Sequence, residues 1–363
     1  MKKNGFIMST YVYILLVFFL LLLGTMLVVL NNTRLLANKI KENTDGNIDF
    51  NLVLKGDKEI FIVKDSEYIE PGCIATTFDG EKLEVRVMGE VNAKKSGEYD
   101  IEYSAEYKGV EKKVKRKVIV GENLVTYITN LYEDSITRAS NNLKKDNTSD
   151  ENIRYYGSDP NNYVSFNNEL WRIIGVFGDN VKLIRSETLG KLSWDSSESS
   201  VNNGRGVNQW GESTYEDGSY YEGSDLMQYL NKMYYGGTSV TCYKGQNNQT
   251  TTCPTNTLDE TAKSLIDNHT WNTGAIEYET TTDTIKFYKA ERGRLNGKIC
   301  YGGSPCNDAI IRTTTWTGYI GLPYATDWAY ASGENICETN MEAKDSSNNY
   351  ICKNNNWIYR KAI

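Results

Sequence analysis

One long apolar segment near the N-terminus constrains this chain more than any other feature. Residues 4–33 carry no charged side chain, and residues 11–30 read YVYILLVFFLLLLGTMLVVL. An apolar helix of that length rises about 30 Å, which is the thickness of the hydrocarbon core of a bilayer. We therefore predict a transmembrane helix at about 11–30, in contact with membrane lipid, within an anchor and helical stem that covers residues 1–47.

The same segment does not fit the pattern of a cleaved secretory signal. The apolar run is longer than that of a signal peptide, and the residues that follow, Asn31 to Arg34, offer no A-x-A cleavage pattern. Basic residues stand on both sides of the span, so the positive-inside rule leaves its orientation open. The cysteines supply the orientation instead.

Six of the seven cysteines occur as close neighbours, and Cys73 stands alone. Because no CxxC motif occurs, this spacing predicts local disulfides rather than a zinc site. Disulfides persist outside the cytoplasm, so we predict a single-pass protein of the cell membrane with extracellular C-terminal domains. Six cysteines allow 15 pairings; we predict the three between neighbours: Cys242 with Cys253, Cys300 with Cys306, and Cys337 with Cys352.

Composition excludes several classes of function. The net charge is −7 and the isoelectric point is about 5.1, which argues against nucleic acid as a partner. His269 is the one histidine, so His-based metal sites and Ser-His or Cys-His catalysis would all depend on it. We predict no catalytic residue, no metal ligand and no cofactor, although calcium held by scattered oxygens is left open.

The first residues, MKKNGF followed by the apolar helix, resemble a type IV prepilin leader. The resemblance implies cleavage between Gly5 and Phe6 and assembly with other pilin-like subunits. That family usually has a glutamate at the fifth mature position, where this chain has Thr10. A pilin-like stem and a plain membrane stalk therefore both stay open.

Residues 48–121 predict a small β-sandwich. Strands are expected at 51–54, 60–63, 83–89, 99–107 and 112–120, separated by turn dipeptides such as Pro71-Gly72. The elements GDKEIFIVKDSEYIEPG, FDG and GEVNAKKSGEYDIEY resemble a bacterial immunoglobulin-like surface repeat. The resemblance implies a spacer. For Cys73 we favour a buried free thiol over an intermolecular bridge.

Residues 122–155 predict a linker with an amphipathic helix at 124–143, and residues 156–363 predict a disulfide-rich α+β domain. Successive strands are expected within 161–187, helices at 224–235 and 258–268, and a strand with a short helical turn within 313–333. The elements ELWRIIGVFGDNVKLIRSE, SWD, DLMQYLN and GLPYATDWAYASG resemble a surface-protein domain of Firmicutes, distantly similar to the C-type-lectin-like fold of formylglycine-generating enzymes. We expect further strands after NNNWIYRKAI, so a truncated terminus is left open.

Charged residues of this domain have a structural interpretation. Glu291, Arg292 and Arg294 form a charge cluster that could bind a ligand, but we favour a solvated or salt-bridged loop. Asp195, Asp225 and Asp327 are expected as turn and cap residues rather than general acids. We expect the chain to be a membrane-anchored bacterial surface protein that presents a binding or adhesion domain on an immunoglobulin-like spacer. Its glycan or protein ligand is unknown. One alternative is an extracellular enzyme on the formylglycine-generating scaffold; the resemblance implies that it would need a reactive cysteine pair that can bind copper, either Cys300/Cys306 or Cys337/Cys352. The other is a purely structural surface protein.

Overall fold

The computed structural model describes residues 49–56, 58–196, 209–215, 217–245, 248–274, 282–293 and 313–359. The predicted span at 11–30 and the predicted cleavage site at Gly5 and Phe6 lie outside these residues. Within the described ranges, the structure has no helix with the length and apolar character needed to cross a membrane.

The strands of residues 49–121 follow the predicted alternation closely. They are β1 (Asn51–Leu54), β2 (Glu59–Val63), β3 (Cys73–Thr76), β4 (Lys82–Leu83), β5 (Arg86–Met88), β6 (Gly97–Tyr107) and β7 (Val110–Gly121). The strand predicted at 83–89 is two short strands, β4 and β5, and β3 was not predicted. Strand β3 begins at Cys73, which is a half-buried free cysteine.

Contacts divide the chain into two compact units. The described part of the first comprises 49–53, 73–86 and 104–113. Its core contains Phe50, Ala75 and Ala105, all of them buried. Strands β1, β3 and β4 form one sheet in the order β1-β3-β4.

The second unit comprises residues 54–72, 87–103 and the chain from 114 onward. Its further strands in residues 143–185 are β8 (Leu143–Lys145), β9 (Ile153–Tyr155), β10 (Tyr163–Phe166), β11 (Glu169–Phe177) and β12 (Asn180–Arg185). They extend a nine-stranded sheet in the order β5-β6-β7-β2-β10-β11-β9-β8, in which β12 also pairs with β11.

Strand β2 connects the immunoglobulin-like segment to the rest of this sheet. It runs parallel to β7 on one side and to β10 on the other, where Phe61 lies opposite Val164. Strands that precede and follow the predicted linker at 122–155 are thus hydrogen-bonded to each other. The domain boundary at this linker stays a prediction.

The prediction of one helix at 124–143 is wrong, because the structure has two: α1 (Leu124–Glu133) and α2 (Ser135–Ser140). Asp134 has an extended backbone, and its carboxylate accepts hydrogen bonds from the N–H groups of Ile136 and Thr137, both at 2.9 Å. A side chain that caps a new helix ends the preceding one at the same point. The chain then enters β8 at Leu143.

The remaining elements are short. The strand pairs are β13 (Ser213–Thr214) with β14 (Tyr220–Tyr221), β15 (Cys242–Tyr243) with β16 (Thr250–Thr251), and β17 (His269–Asn272) with β18 (Thr315–Gly318). The α-helices are α3 (Asp225–Gln228), α4 (Glu260–Ser264), α5 (Thr284–Glu291) and α6 (Ala325–Tyr330). Two 3-10 helices follow at Asn335–Glu338 and Ile351–Lys353.

The helix predicted at 224–235 changes type along its length. Ser224 caps α3 by accepting a hydrogen bond from the Met227 N–H at 3.2 Å, as its position predicts. After Gln228 the chain continues as a π-helix, Tyr229–Tyr235. A hydrophobic period of 3.6 residues does not distinguish an α-helix from a π-helix. π-Helical turns are frequent at functional sites.

Three tryptophans pack against one another in the α+β segment. The rings of Trp194, Trp210 and Trp316 form a row, with centroids 5.3 and 5.9 Å apart along it. Gly211 leaves room for this row, since a Cβ atom there would lie 1.9 Å from Trp316 Cδ1.

Candidate functional site

Two of the predicted cysteine pairs are disulfide-bonded in the structure. Cys242 is bonded to Cys253 and Cys337 to Cys352, with Cα–Cα distances of 5.2 and 5.6 Å. Cys337 and Cys352 are fully buried. They are therefore closed and inaccessible, not a thiolate pair open to solvent. The third predicted pair, Cys300 and Cys306, lies outside the described residues.

Four charged side chains form a buried cluster in the described structure. Arg154 of β9 donates from Nε to Asp146 Oδ2 at 2.6 Å and from Nη1 to Asp327 Oδ1 at 2.8 Å. Lys182 of β12 donates to the other oxygen of Asp327. Two cations and two anions balance, which is what burial of charge requires.

The prediction for Asp327 was only partly right. It does close the first turn of α6, since Oδ2 accepts the N–H of Tyr324 at 2.8 Å. It is also the buried partner of both cations, with its side chain fully enclosed. Burial by itself raises the pKa of Asp327, but the charges of Lys182 and Arg154 outweigh it and hold that pKa below its usual range.

Aromatic rings enclose both cations. The Arg154 guanidinium lies between Phe177 and Tyr330, at 4.6 and 4.7 Å from their ring centroids. The Lys182 ammonium lies 3.9 Å from the centroid of Tyr324. Ring faces attract a cation that water no longer solvates. Burial lowers the pKa of Lys182 despite the attraction of Asp327.

The prediction of a loop for Glu291 was wrong. Glu291 is the last residue of α5 and is 4% exposed. Its carboxylate accepts from the Thr326 N–H at 3.2 Å and lies 2.7 and 2.9 Å from the Thr326 hydroxyl. Burial raises its pKa to about 7. The sequence KAERGRLNG, rich in charged residues and glycine, is typical of a loop, and only tertiary contacts bury Glu291.

The other singled-out polar residues make ordinary contacts. The Asp195 carboxylate accepts from the Tyr221 hydroxyl at 2.7 Å, and Asp225 accepts from the backbone and hydroxyl of Ser196, both at 2.8 Å. His269 is half exposed and lies 3.5 Å from Asp267. Within the described ranges, no group of three or more His, Cys, Asp or Glu residues could hold a metal ion.

Two half-buried tyrosines of the α+β segment stack on each other. Tyr235, at the end of the π-helix, and Tyr319, just after β18, stack with centroids 3.9 Å apart and planes 12° from parallel. Both residues are half-buried. An aromatic ring with a polar edge, held at a surface, is typical of recognition sites.

The π-helix holds this pair in position. Asn231 accepts from the N–H groups of Tyr319 and Ile320 at 3.2 and 2.9 Å and donates to the carbonyl of Ile320 at 2.9 Å. These bonds fix the segment that carries Tyr319 against the helix that carries Tyr235. The sequence contained no signal for the pair, because its two members lie 84 positions apart. We name Tyr235 and Tyr319 together the tyrosine pair.

Comparisons with known proteins found one family model and solved structures that are similar to parts of this chain. No curated protein matched it. Among solved structures it is similar to the crystal structure of the lipoprotein BT2262 from Bacteroides thetaiotaomicron, with 30% identity and a TM-score of 0.19. That match covers 20% of this chain and 38% of the lipoprotein. The model of the family "Bacterial surface protein, Ig-like domain" matches residues 52–120, so the chain contains an immunoglobulin-like domain of the bacterial surface-protein kind.

Proposed function

We propose that this chain is an adhesin-like binding protein of the bacterial cell surface. The N-terminal helix at about 11–30 anchors it in the membrane, the immunoglobulin-like segment 48–121 is a spacer, and residues 156–363 form the binding domain. The family match at residues 52–120 supports the surface location. The ligand is a surface glycan or protein.

The observation that carries the binding role is the tyrosine pair. Its rings are already stacked and held by Asn231, so little side-chain entropy is lost when a ligand packs against them. Near it, Lys263 is paired with Glu260 at 2.8 Å, and the His269 ring lies 3.5 Å from the Asp267 carboxylate. A neutral aromatic surface of this kind favours contact with an uncharged or weakly charged ligand.

An array of glycans and host proteins, probed with the full chain in detergent, tests the proposal. We expect binding to at least one probe, and a loss of tenfold or more in the double variant Tyr235→Ala/Tyr319→Ala. Tyr220→Ala is the matched control, because Tyr220 is 64% exposed on β14 and belongs to no such pair. An array without a reproducible signal favours the purely structural alternative. If Tyr220→Ala loses as much binding as Tyr235→Ala/Tyr319→Ala, the tyrosine pair is not the binding site.

The anchor has its own test. If the prepilin-like leader is cleaved, the measured mass of the mature protein should equal that of a chain that begins at Phe6. A mass equal to that of a chain that begins at Met1 would favour the plain stalk and exclude any assembly that depends on this cleavage.

We propose no catalytic role. The closed, buried state of Cys337 and Cys352 supports this, because it removes one of the two candidate copper-binding pairs of the enzyme alternative. Stoichiometric copper in the purified protein, lost on substitution of Cys300 or Cys306, would favour the enzyme instead.

A further inference from the structure

The sheet formed by β1, β3 and β4 exposes apolar side chains on its outer side. Leu52 and Ala75 pack in the core of the first unit, and successive side chains of a strand point to opposite sides of a sheet. Val53 and Ile74, each next to one of these residues, therefore project away from the core, and they are 60% and 45% exposed. Phe78, two residues after β3, is 71% exposed. We name Val53, Ile74 and Phe78 the apolar face.

The turn that carries Phe78 is held by other residues. The N–H of Thr77 donates to the Glu81 carbonyl at 2.9 Å, and the Thr77 hydroxyl accepts the N–H of Glu81 at 3.0 Å. These bonds continue the pairing of β3 with β4 through Thr77, which is buried, so the next side chain, Phe78, points outward. A ring presented by a fixed turn loses little conformational entropy when it contacts another surface.

Lys82 places a cation beside the apolar face. It lies opposite Thr76 in the pairing of β3 with β4, and directly opposite residues share one side of a sheet. Thr76 follows the core residue Ala75, so that side is the outer one. A lysine stem packs along apolar surface while its ammonium stays among water or phosphate groups. Apolar side chains with a basic residue next to them are typical of surfaces that lie in the headgroup region of a membrane.

The place of the first unit in the chain favours the bilayer as the surface that covers this face. Strand β1, which carries Val53, is the first strand after the span predicted at 11–30. Residues 31–48 connect the two, and they reach at most about 60 Å even when fully extended. The unit therefore stays close to the membrane, and the tether gives a weak contact with lipid a high effective concentration.

We propose that the apolar face rests on the bilayer that anchors the chain, with Phe78 among the lipid headgroups and Lys82 beside their phosphates. The inference depends on the membrane anchor of the proposed function and adds a second contact with the same membrane. The first unit is then a base seated on the lipid surface rather than a spacer that moves freely above it.

Fluorescence quenching of the full chain in vesicles tests the proposal. The vesicles contain phosphatidylcholine, phosphatidylglycerol and a lipid with a nitroxide on the acyl chain near the headgroup. One protein carries a fluorophore at Asn51→Cys, on the outer side of β1, and the control carries it at Glu106→Cys, exposed on β6 next to the core residue Ala105. Both are made in a Cys73→Ser background, which removes the free thiol.

We expect quenching at position 51 to exceed that at position 106 about threefold or more, because groups at the interface lie within about 5–10 Å of the acyl boundary. Ile74→Thr/Phe78→Ser should lower the quenching at position 51 to the level at position 106. Both substitutions are at exposed positions, where changes usually leave the fold intact.

Equal quenching at the two positions overturns the proposal, and it does so without any change to the apolar face. A label at position 51 that is shielded from aqueous iodide but not quenched by the lipid overturns it as well, because a second copy or the stem then covers the face. A chain that does not float with the vesicles removes the anchor and this inference together. A chain that floats and shows equal quenching removes this inference alone.

Discussion

Substitution of Asp327 by Asn is the sharpest test of the buried charge cluster. Asp327 is 1% exposed and contacts Arg154 and Lys182 through different oxygens. Asn has nearly the same volume, so packing changes little. The cluster, however, would keep two cations against Asp146 alone, and the new amide N–H₂ would face a donor.

The expected loss of stability is about 3–5 kcal/mol, the usual result when one partner of a buried ion pair is removed. That is a large fraction of the about 5–15 kcal/mol by which domains are stable. The assay is chemical unfolding followed by tryptophan fluorescence, since the Trp271 ring lies 5.6 Å from the Lys182 ammonium and Trp328 follows Asp327 in the chain. Glu260→Gln is the matched control. Its side chain is 90% exposed, so its ion pair with Lys263 contributes about 0–1 kcal/mol.

A second variant separates charge balance from shape. Lys182→Met added to Asp327→Asn restores neutrality, because Arg154 and Asp146 then pair alone. We expect the double variant to recover part of the loss. The reasoning is refuted if Asp327→Asn loses less than about 1 kcal/mol, a value typical of surface positions, or if Lys182→Met adds a further loss to it.

Two further predictions concern the packing of the α+β segment. Cys337→Ser/Cys352→Ser should lose about 3 kcal/mol of stability, since the bond closes a separation of 15 residues, and the loss should disappear when both proteins are compared in reductant. Gly211→Ala should lose about 1–3 kcal/mol and shift tryptophan emission, because its Cβ would overlap Trp316. Gly293→Ala, whose Cβ meets one atom at 3.8 Å, is its control, and equal midpoints for the two alanine variants would contradict the packing argument.

Local patterns predicted the immunoglobulin-like strands well and the helices of the α+β segment less well. The predicted strands at 99–107 and 112–120 match β6 and β7 to within two residues at each end, because one buried face of a strand is a local property. The break at Asp134 and the change to a π-helix at Tyr229 depend on capping and on contacts with distant segments. No window of the sequence contains those contacts.

The candidate site shows the same division. Cysteine spacing predicted the bonds Cys242–Cys253 and Cys337–Cys352, since partners 11 and 15 residues apart meet in local loops. The cluster of Arg154, Lys182 and Asp327 brings together side chains up to 173 positions apart. Each of these residues by itself is typical of a solvated surface, so sequence reasoning assigned Asp327 a cap and Glu291 a loop.

The sequence by itself determined the class of this protein: an apolar segment long enough to span a bilayer, an immunoglobulin-like surface domain, and a tryptophan-rich, disulfide-bonded segment after it. Periodicity, composition and short spacing express these properties within a few tens of residues. The tertiary structure decided which polar groups are buried, which charges balance, and which aromatic rings meet at the surface. Those outcomes depend on desolvation and on pairing between residues far apart in the chain, and no local pattern encodes them.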